Sequence, residues 1–167
     1  MRLTRFLSGL VLTAIALTGN ATEASPVTHS QGPGYNLYRS GPAGQVAQST
    51  PRGGVLMMGG GDYFPQAFEW LFEHGGHGRL VVLRASGEGD LNPYFMDELG
   101  GVAAVDTLVF SGREASSDPT VLEIVKAADM IFIGGGDQAN YANFLRGTPP
   151  PDALQSHFAP HKPSGGP

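Results

Sequence analysis

The chain has 167 residues, a formal charge of −5 and 15% charged residues. That length supports one domain with a moderate core, and the sparse, acidic charge excludes a nucleic-acid binder and a polybasic membrane anchor. The absence of cysteine excludes a thiolate nucleophile, structural disulfides and a lipidated cysteine anchor.

Residues 1–24 read as a secretory signal. Arg2 and Arg5 form a positive start, Phe6 to Leu17 an apolar run, and Ala21 or Ala24 a small-residue cleavage point. The run is too short to cross a membrane as a helix, and the arginines are not adjacent, which argues against the twin-arginine route. The expected product is secreted or periplasmic, with no stable membrane anchor. Residues 25–52 place Pro26, Pro33, Pro42 and Pro51 among Ser, Gly, Gln and Thr, which predicts an extended arm. Tyr35, Leu37 and Tyr38 are expected to pin it to the domain.

Regular patterning begins at Gly53. Val55 to Met58 predicts a first strand; Asp62 is placed to cap the next helix, with Pro65 in its first turn. Phe64, Ala67, Phe68, Leu71 and Phe72 fall on one face of that helix, which Gly75-Gly76 ends. Leu80 to Leu83 predicts a second strand emptying into Ser86-Gly-Glu-Gly-Asp90. A short helix capped by Asp90 or Asn92 follows, with Pro93 early in it, running through Leu99. A third strand lies within Val102 to Phe110. Asp118-Pro119 opens a third helix with Val121, Leu122, Val125 and Ala128 inward. Met130 to Ile133 is a fourth strand, and a helix through Leu145 carries Tyr141, Phe144 and Leu145 on one side. After Gly147 the pattern fades. Asp152 to Phe158 has room for one or two helical turns, and 159–167 reads as a disordered tail.

Strand and helix alternating four times predicts right-handed crossovers and an α/β fold, a parallel sheet with helices on both faces. Ligands bind such sheets at the carboxyl ends of the strands. Two stretches of like design end there: Val55-Leu-Met-Met-Gly-Gly-Gly-Asp62 and Ile131-Phe-Ile-Gly-Gly-Gly-Asp-Gln138. Their glycines tolerate positive φ and allow a ligand close to backbone N–H groups. The candidate oxyanion and substrate-binding residues are therefore Gly60, Gly61, Asp62, Gly135, Gly136, Asp137 and Gln138. Taken alone, such turns are also explained as tight connections. They lack the G-x-G-x-x-G spacing of a dinucleotide site and the Lys-Ser/Thr of a Walker loop, so no cofactor is expected.

The histidines point to no metal site. His74 and His77 sit beside glycines at a helix end, and Pro160 spoils the spacing of His157 and His161. No G-x-S-x-G elbow occurs. Ser164 is the nearest candidate nucleophile, with three residues after it.

The ordered pieces Leu37-Tyr-Arg39, Gly53-Gly-Val-Leu-Met-Met-Gly-Gly-Gly61, Ala67-Phe-Glu-Trp70, Asn92-Pro-Tyr94, Asp106-Thr-Leu108, Arg113-Glu-Ala115, Ile133-Gly-Gly-Gly-Asp-Gln-Ala-Asn-Tyr141, Asn143-Phe144 and Gly147-Thr-Pro149 resemble the cyanophycinase-like serine peptidases. These are relatives of dipeptidase E with a flavodoxin-like, class I glutamine amidotransferase-like fold. The match covers roughly residues 35–162. The resemblance implies a serine nucleophile on an elbow after a fifth strand, with a histidine and an acid further on. It implies oxyanion N–H groups from Gly135 and Gly136, substrate contact by Gln138, and aspartyl or β-aspartyl peptides as substrates.

The sequence departs from that pattern at Lys162-Pro-Ser-Gly-Gly-Pro167, where the elbow strand should begin. The expectation is an incomplete domain over 53–158, truncated to about four strands, without catalytic residues and inactive alone. Its fourth strand would be an uncovered edge inviting self-association. The alternative is a secreted, non-catalytic module binding an anion or peptide at the two glycine-rich turns.

Overall fold

The computed structural model describes residues 24–44, 46–59, 61–148, 157 and 162–166. The expected signal segment up to residue 23, Gly60, His161 and, apart from His157, the helical turns expected over 152–158 lie outside these residues. No helix among the described residues is long and apolar enough to cross a membrane.

Thirteen segments follow one another among the described residues. Thr28–Gly32 (β1) and Tyr35–Ser40 (β2) form a hairpin; Gly54–Met57 (β3) leads to Pro65–His74 (α1) and Arg79–Arg84 (β4). Leu91–Pro93 (α2) continues as a π-helical turn, Tyr94–Glu98, before Ala104–Phe110 (β5). A 3-10 turn, Arg113–Ser117, precedes Pro119–Ala127 (α3), Met130–Ile133 (β6), Gln138–Leu145 (α4) and Pro163–Gly166 (β7).

The seven strands of the described residues join one sheet in the order β1-β2-β5-β4-β6-β7-β3. β5, β4, β6, β7 and β3 run parallel, while β1 and β2 are antiparallel additions beyond β5. The alternation of β4 shows how the layers are filled. Val81 and Leu83 point into a core with Val121, Ile124, Val125 and Ile131, beneath α3 and α4. Leu80 and Val82 point into the opposite core with Phe68, Phe72, Phe95 and Phe132, beneath α1 and the π-helical turn. The helices after β3 and β4 thus lie on one face and those after β5 and β6 on the other. This makes the gap between β4 and β6 a switch point of the winding, the place where an α/β sheet opens a crevice.

The four expected strands are present, with three more. The stretch 25–52, expected as an arm, contributes the β1–β2 hairpin: Tyr35 and Leu37 are buried, alternating with partly exposed Asn36 and Tyr38. The rest of that stretch is docked as well. Arg79 Nη2 donates to the carbonyls of Pro42 and Gly44, and the Gln48 and Arg52 N–H groups donate to Gly76 and His74 carbonyls at 2.7 Å each.

The ending differs more. Residues 163–166, expected within a tail, are β7, inserted between β6 and β3 in register Ile131↔Ser164↔Val55. β6 therefore has neighbours on both sides, and the expectation of an uncovered fourth strand is overturned. What makes room for the second half of β7 is glycine: a Cβ on Gly165 would stand 3.3 Å from both Leu56 and Phe132. Among the described residues the parallel end of the sheet is β3 instead.

A buried charge pair crosses the sheet at its amino end. Asp106, 2% exposed, accepts from Arg79 Nη1 at 2.8 Å, with Arg39 Nη2 at 3.6 Å. Burial pushes the Asp106 carboxyl above its usual value, against the pull of the two guanidinium groups. On the opposite face of β5 Asn92, fully buried, accepts from Thr107 Oγ1 at 2.6 Å and donates to the Val105 carbonyl at 3.1 Å.

Candidate functional site

The glycine turns stand at the carboxyl ends of β3 and β6, with β7 between them. Two strand spacings separate them, roughly 10 Å, so they flank the end of β7 without touching. Gly61 has φ +127° and Gly136 φ +136°. The third glycine of each turn thus has nearly the same φ, one that side-chain-bearing residues rarely adopt. Around Gly61 a Cβ would meet nothing within 4 Å, and at Gly136 only Ser86 Oγ at 3.8 Å. Glycine is required in both places by the backbone, and the space beside it is open.

The first turn is anchored from behind. Met58 N–H donates to the Gly166 carbonyl at 2.8 Å, extending the β3–β7 ladder by one bond. Tyr63 packs edge-on against Phe68 and Phe132, with ring centroids 5.5 and 5.8 Å away. Asp62 is exposed and does not cap α1; Phe64 takes the cap position without a side-chain bond, and Pro65 opens the helix as expected.

The second turn is held more closely. Gly134 N–H donates to the Leu83 carbonyl at 2.8 Å, and the stem of Arg84 packs against Gly134, which is buried. Arg84 Nη1 in turn donates to Asp90 Oδ1 at 2.6 Å and to the Glu88 carbonyl at 3.0 Å. Asp137 caps α4 by accepting from Ala139 N–H at 2.8 Å. At the other end of α4, Arg113 donates to the carbonyls of Asn143 (3.0 Å) and Arg146 (2.5 Å), and Ser116 to that of Phe144 (2.6 Å). Gly135, Gly136, Asp137 and Gln138 are all exposed at the mouth of the crevice.

Sequence reasoning placed six of these residues, Gly61, Asp62, Gly135, Gly136, Asp137 and Gln138, at one edge of the sheet; the seventh, Gly60, is outside the described residues. It missed Arg84 and Tyr141, whose signals were only their positions at a strand end and one turn into a helix.

Ser164 is no nucleophile in this arrangement. It is 3% exposed in the middle of β7, between Val55 and Ile131. His74 stacks on Trp70 and bonds its carbonyl at 2.9 Å; His77 bonds the Gly101 carbonyl at 2.7 Å. Buried His157 bonds the Pro163 carbonyl at 3.0 Å, and burial pushes its imidazole below its usual value.

Chemically, the edge offers open backbone beside a capped helix start, suited to receiving an acceptor oxygen. A shallow apolar hollow of about 350 Å³ adjoins it, lined by Val55, Met57, Ile133 and Gly166. A larger hollow of about 690 Å³ lies at the opposite, amino ends of the strands, beside Arg79, Asp106 and Lys162. Arg79 and Asp106 there are engaged with each other, and the hollow is remote from the turns.

No family model matches the chain, and no curated protein is significantly similar to it. Among solved structures it is similar to a peptidase from an acI-B1 Actinobacterium, with 25% identity and a TM-score of 0.54. The similarity covers 71% of this chain and 55% of that one, so the chain spans about half of that peptidase's length. The α/β fold described above is shared with a peptidase.

Proposed function

We propose that the paired glycine turns are the carbonyl-polarising and substrate-holding part of a serine-type peptidase site of the cyanophycinase-like kind. Its substrates are aspartyl or β-aspartyl peptides, met outside the cytoplasm after the signal-like segment has directed export. The observation that carries this reading is the shared positive φ of Gly61 and Gly136, in turns on either side of β7, in a chain that shares a peptidase's fold. Positions Gly135 and Gly136 supply N–H donors for a developing oxyanion, and Gln138 lies at the same exposed mouth.

Acyl transfer by this route needs an accessible hydroxyl with a base beside it. Ser164, buried in mid-strand, supplies neither access nor an elbow. The chain alone therefore binds such peptides and does not turn them over. Calorimetric titration with β-aspartyl-arginine, together with an assay for released amino acids, tests both halves. Binding without release is the expected result; release well above background after stringent purification overturns the inactivity.

The burial of Ser164 also favours a second reading, a non-catalytic module using the turns as an anion cradle. Binding of phosphate or nucleotide that disappears on Gly61→Val, with no response to aspartyl peptides, would establish that reading instead.

A further inference from the structure

Tyr141 is half-buried one turn into α4, and its hydroxyl is directed back at the strand ends. It lies 2.8 Å from the Gly134 carbonyl and 3.2 Å from the Leu83 carbonyl, and it also meets the backbone of Ala85. One phenol thus joins the carboxyl ends of β4 and β6 at the switch point. Gly134 is held on both sides, its N–H by Leu83 and its carbonyl by Tyr141. The plane of the Gly134–Gly135 peptide is then fixed.

That fixation has a direction. In a trans peptide the C=O and the following N–H point opposite ways, and the chain contains no cis peptide bond among the described residues. With the Gly134 carbonyl turned toward Tyr141, the Gly135 N–H is turned away from it, on a residue that is exposed. Glycine would otherwise leave this peptide free to rotate, because two adjacent residues without Cβ atoms restrain φ and ψ least. We propose that Tyr141 is the positioning residue of the site, holding the Gly135 N–H toward an incoming acceptor; this rests on the peptidase-type reading of the glycine turns. Burial pushes the phenol above its usual value, so it keeps its proton and remains a donor at neutral pH. Its hydrogen bond is absent from the sequence pattern, which shows Tyr141 only as one member of the inward face of α4.

The test uses the full chain, isotopically labelled, as wild type, Tyr141→Phe and the control Tyr38→Phe, a tyrosine of the β1–β2 hairpin that stacks on His29. Residual dipolar couplings report the orientation of the Gly135 N–H vector, and titration with β-aspartyl-arginine reports its use. Tyr141→Phe should average the Gly135 coupling and weaken the peptide about fivefold, the loss of roughly one hydrogen bond. The amide of Ala139 at the α4 cap and the melting temperature should stay near wild type, and Tyr38→Phe should change neither readout. An unchanged Gly135 coupling in Tyr141→Phe overturns the positioning role, as does an affinity within a factor of two of wild type. If wild type takes up no peptide, the peptidase-type reading falls, and the coupling alone decides whether Tyr141 holds the turn.

Discussion

Along one row of the sheet, Val81 and Ile131 are 0% exposed and Ser164 3%, while Val55 is 69% exposed. Two residues further on, Leu83 is 1% and Met57 86% exposed. The side chains all point to the same face, so the difference lies in what covers them. α3 and α4 lie over β4 and β6, giving three layers. Over β3 no described helix lies on this face, and the sheet is backed only by the α1 side, where Leu56 and Trp70 pack on the Phe68 core. The glycine turns sit on either side of this boundary. The turn after β6 is gripped by Leu83, Arg84 and Tyr141, whereas Gly61 has open space around it. A closely held turn thus stands across β7 from an accessible one, which is what the proposed site, having both to fix an oxygen and to admit a substrate, would need.

The closed end should respond most strongly to substitution. Arg79 is nearly buried and compensates Asp106, itself 2% exposed. Arg79→Met leaves that carboxylate buried and without its main partner, and we expect a loss of about 3–5 kcal/mol in denaturant unfolding. Adding Asp106→Leu should restore much of the loss, since an apolar pair of similar volume replaces a buried ion pair well. A single variant as stable as wild type would mean that Arg39, 3.6 Å away, carries the compensation.

At the boundary the expected effect is smaller. A Cβ on Gly165 already meets Leu56 and Phe132 at 3.3 Å, so Gly165→Val overpacks the slot that admits β7. A cost of about 1–3 kcal/mol follows, and hydrogen-exchange protection should fall in β7 and β3 first. Uniform loss of protection across β4 and β5 would show that the two ends unfold as one unit.

The same boundary should be sensitive to pH through His157. Burial, chiefly, and Lys162 lower its pKa in the folded chain. Below its unfolded value of 6.5 the unfolded chain binds the proton more readily, so stability is full above that pH and falls as pH drops beneath it. Thermal melts at pH 7.5 and 5.5 should therefore differ, with much of the difference abolished in His157→Gln. An undiminished difference in that variant would assign the slope to other groups.

How much of this was readable beforehand differs along the same boundary. The three-layered region was legible because its strands are continuous apolar runs and its helices carry their own start signals. Pro119 and the Asp118 cap, which accepts from Thr120 N–H at 2.8 Å, are where the sequence placed them. The Asp137 cap at the second turn was not foreseen, since Asp137 was expected only among the substrate-binding residues. The β1–β2 hairpin was hidden by its polar outer face, although Tyr35 and Leu37 alternate inward around a Pro33-Gly34 turn. β7 had no local signal at all. Pro-Ser-Gly-Gly has little strand propensity, and it is a strand because β6 and β3 pair with it on both sides, closely at Gly165. At the site, the glycines were legible as motifs. The grips of Tyr141 and Arg84 were not, because each depends on a strand that is distant in sequence.

The smallest expected effect is also the most direct test of the open face. Val55 and Met57 are large apolar side chains exposed at 69% and 86%, so replacing both with lysine removes little buried contact. Surface changes of this kind fall within about 0.5 kcal/mol, and charge on an edge strand discourages edge-to-edge pairing. The double variant should unfold at nearly the wild-type midpoint and elute at or below the wild-type apparent size. Lysine at Val81, which occupies the same row at 0% exposure, should prevent cooperative folding, because it buries an unpaired charge. If Val55→Lys/Met57→Lys instead costs several kcal/mol, this face is covered in solution. The hollow beside the glycine turns would then be part of an interior, and the contrast between the two ends of the sheet would vanish.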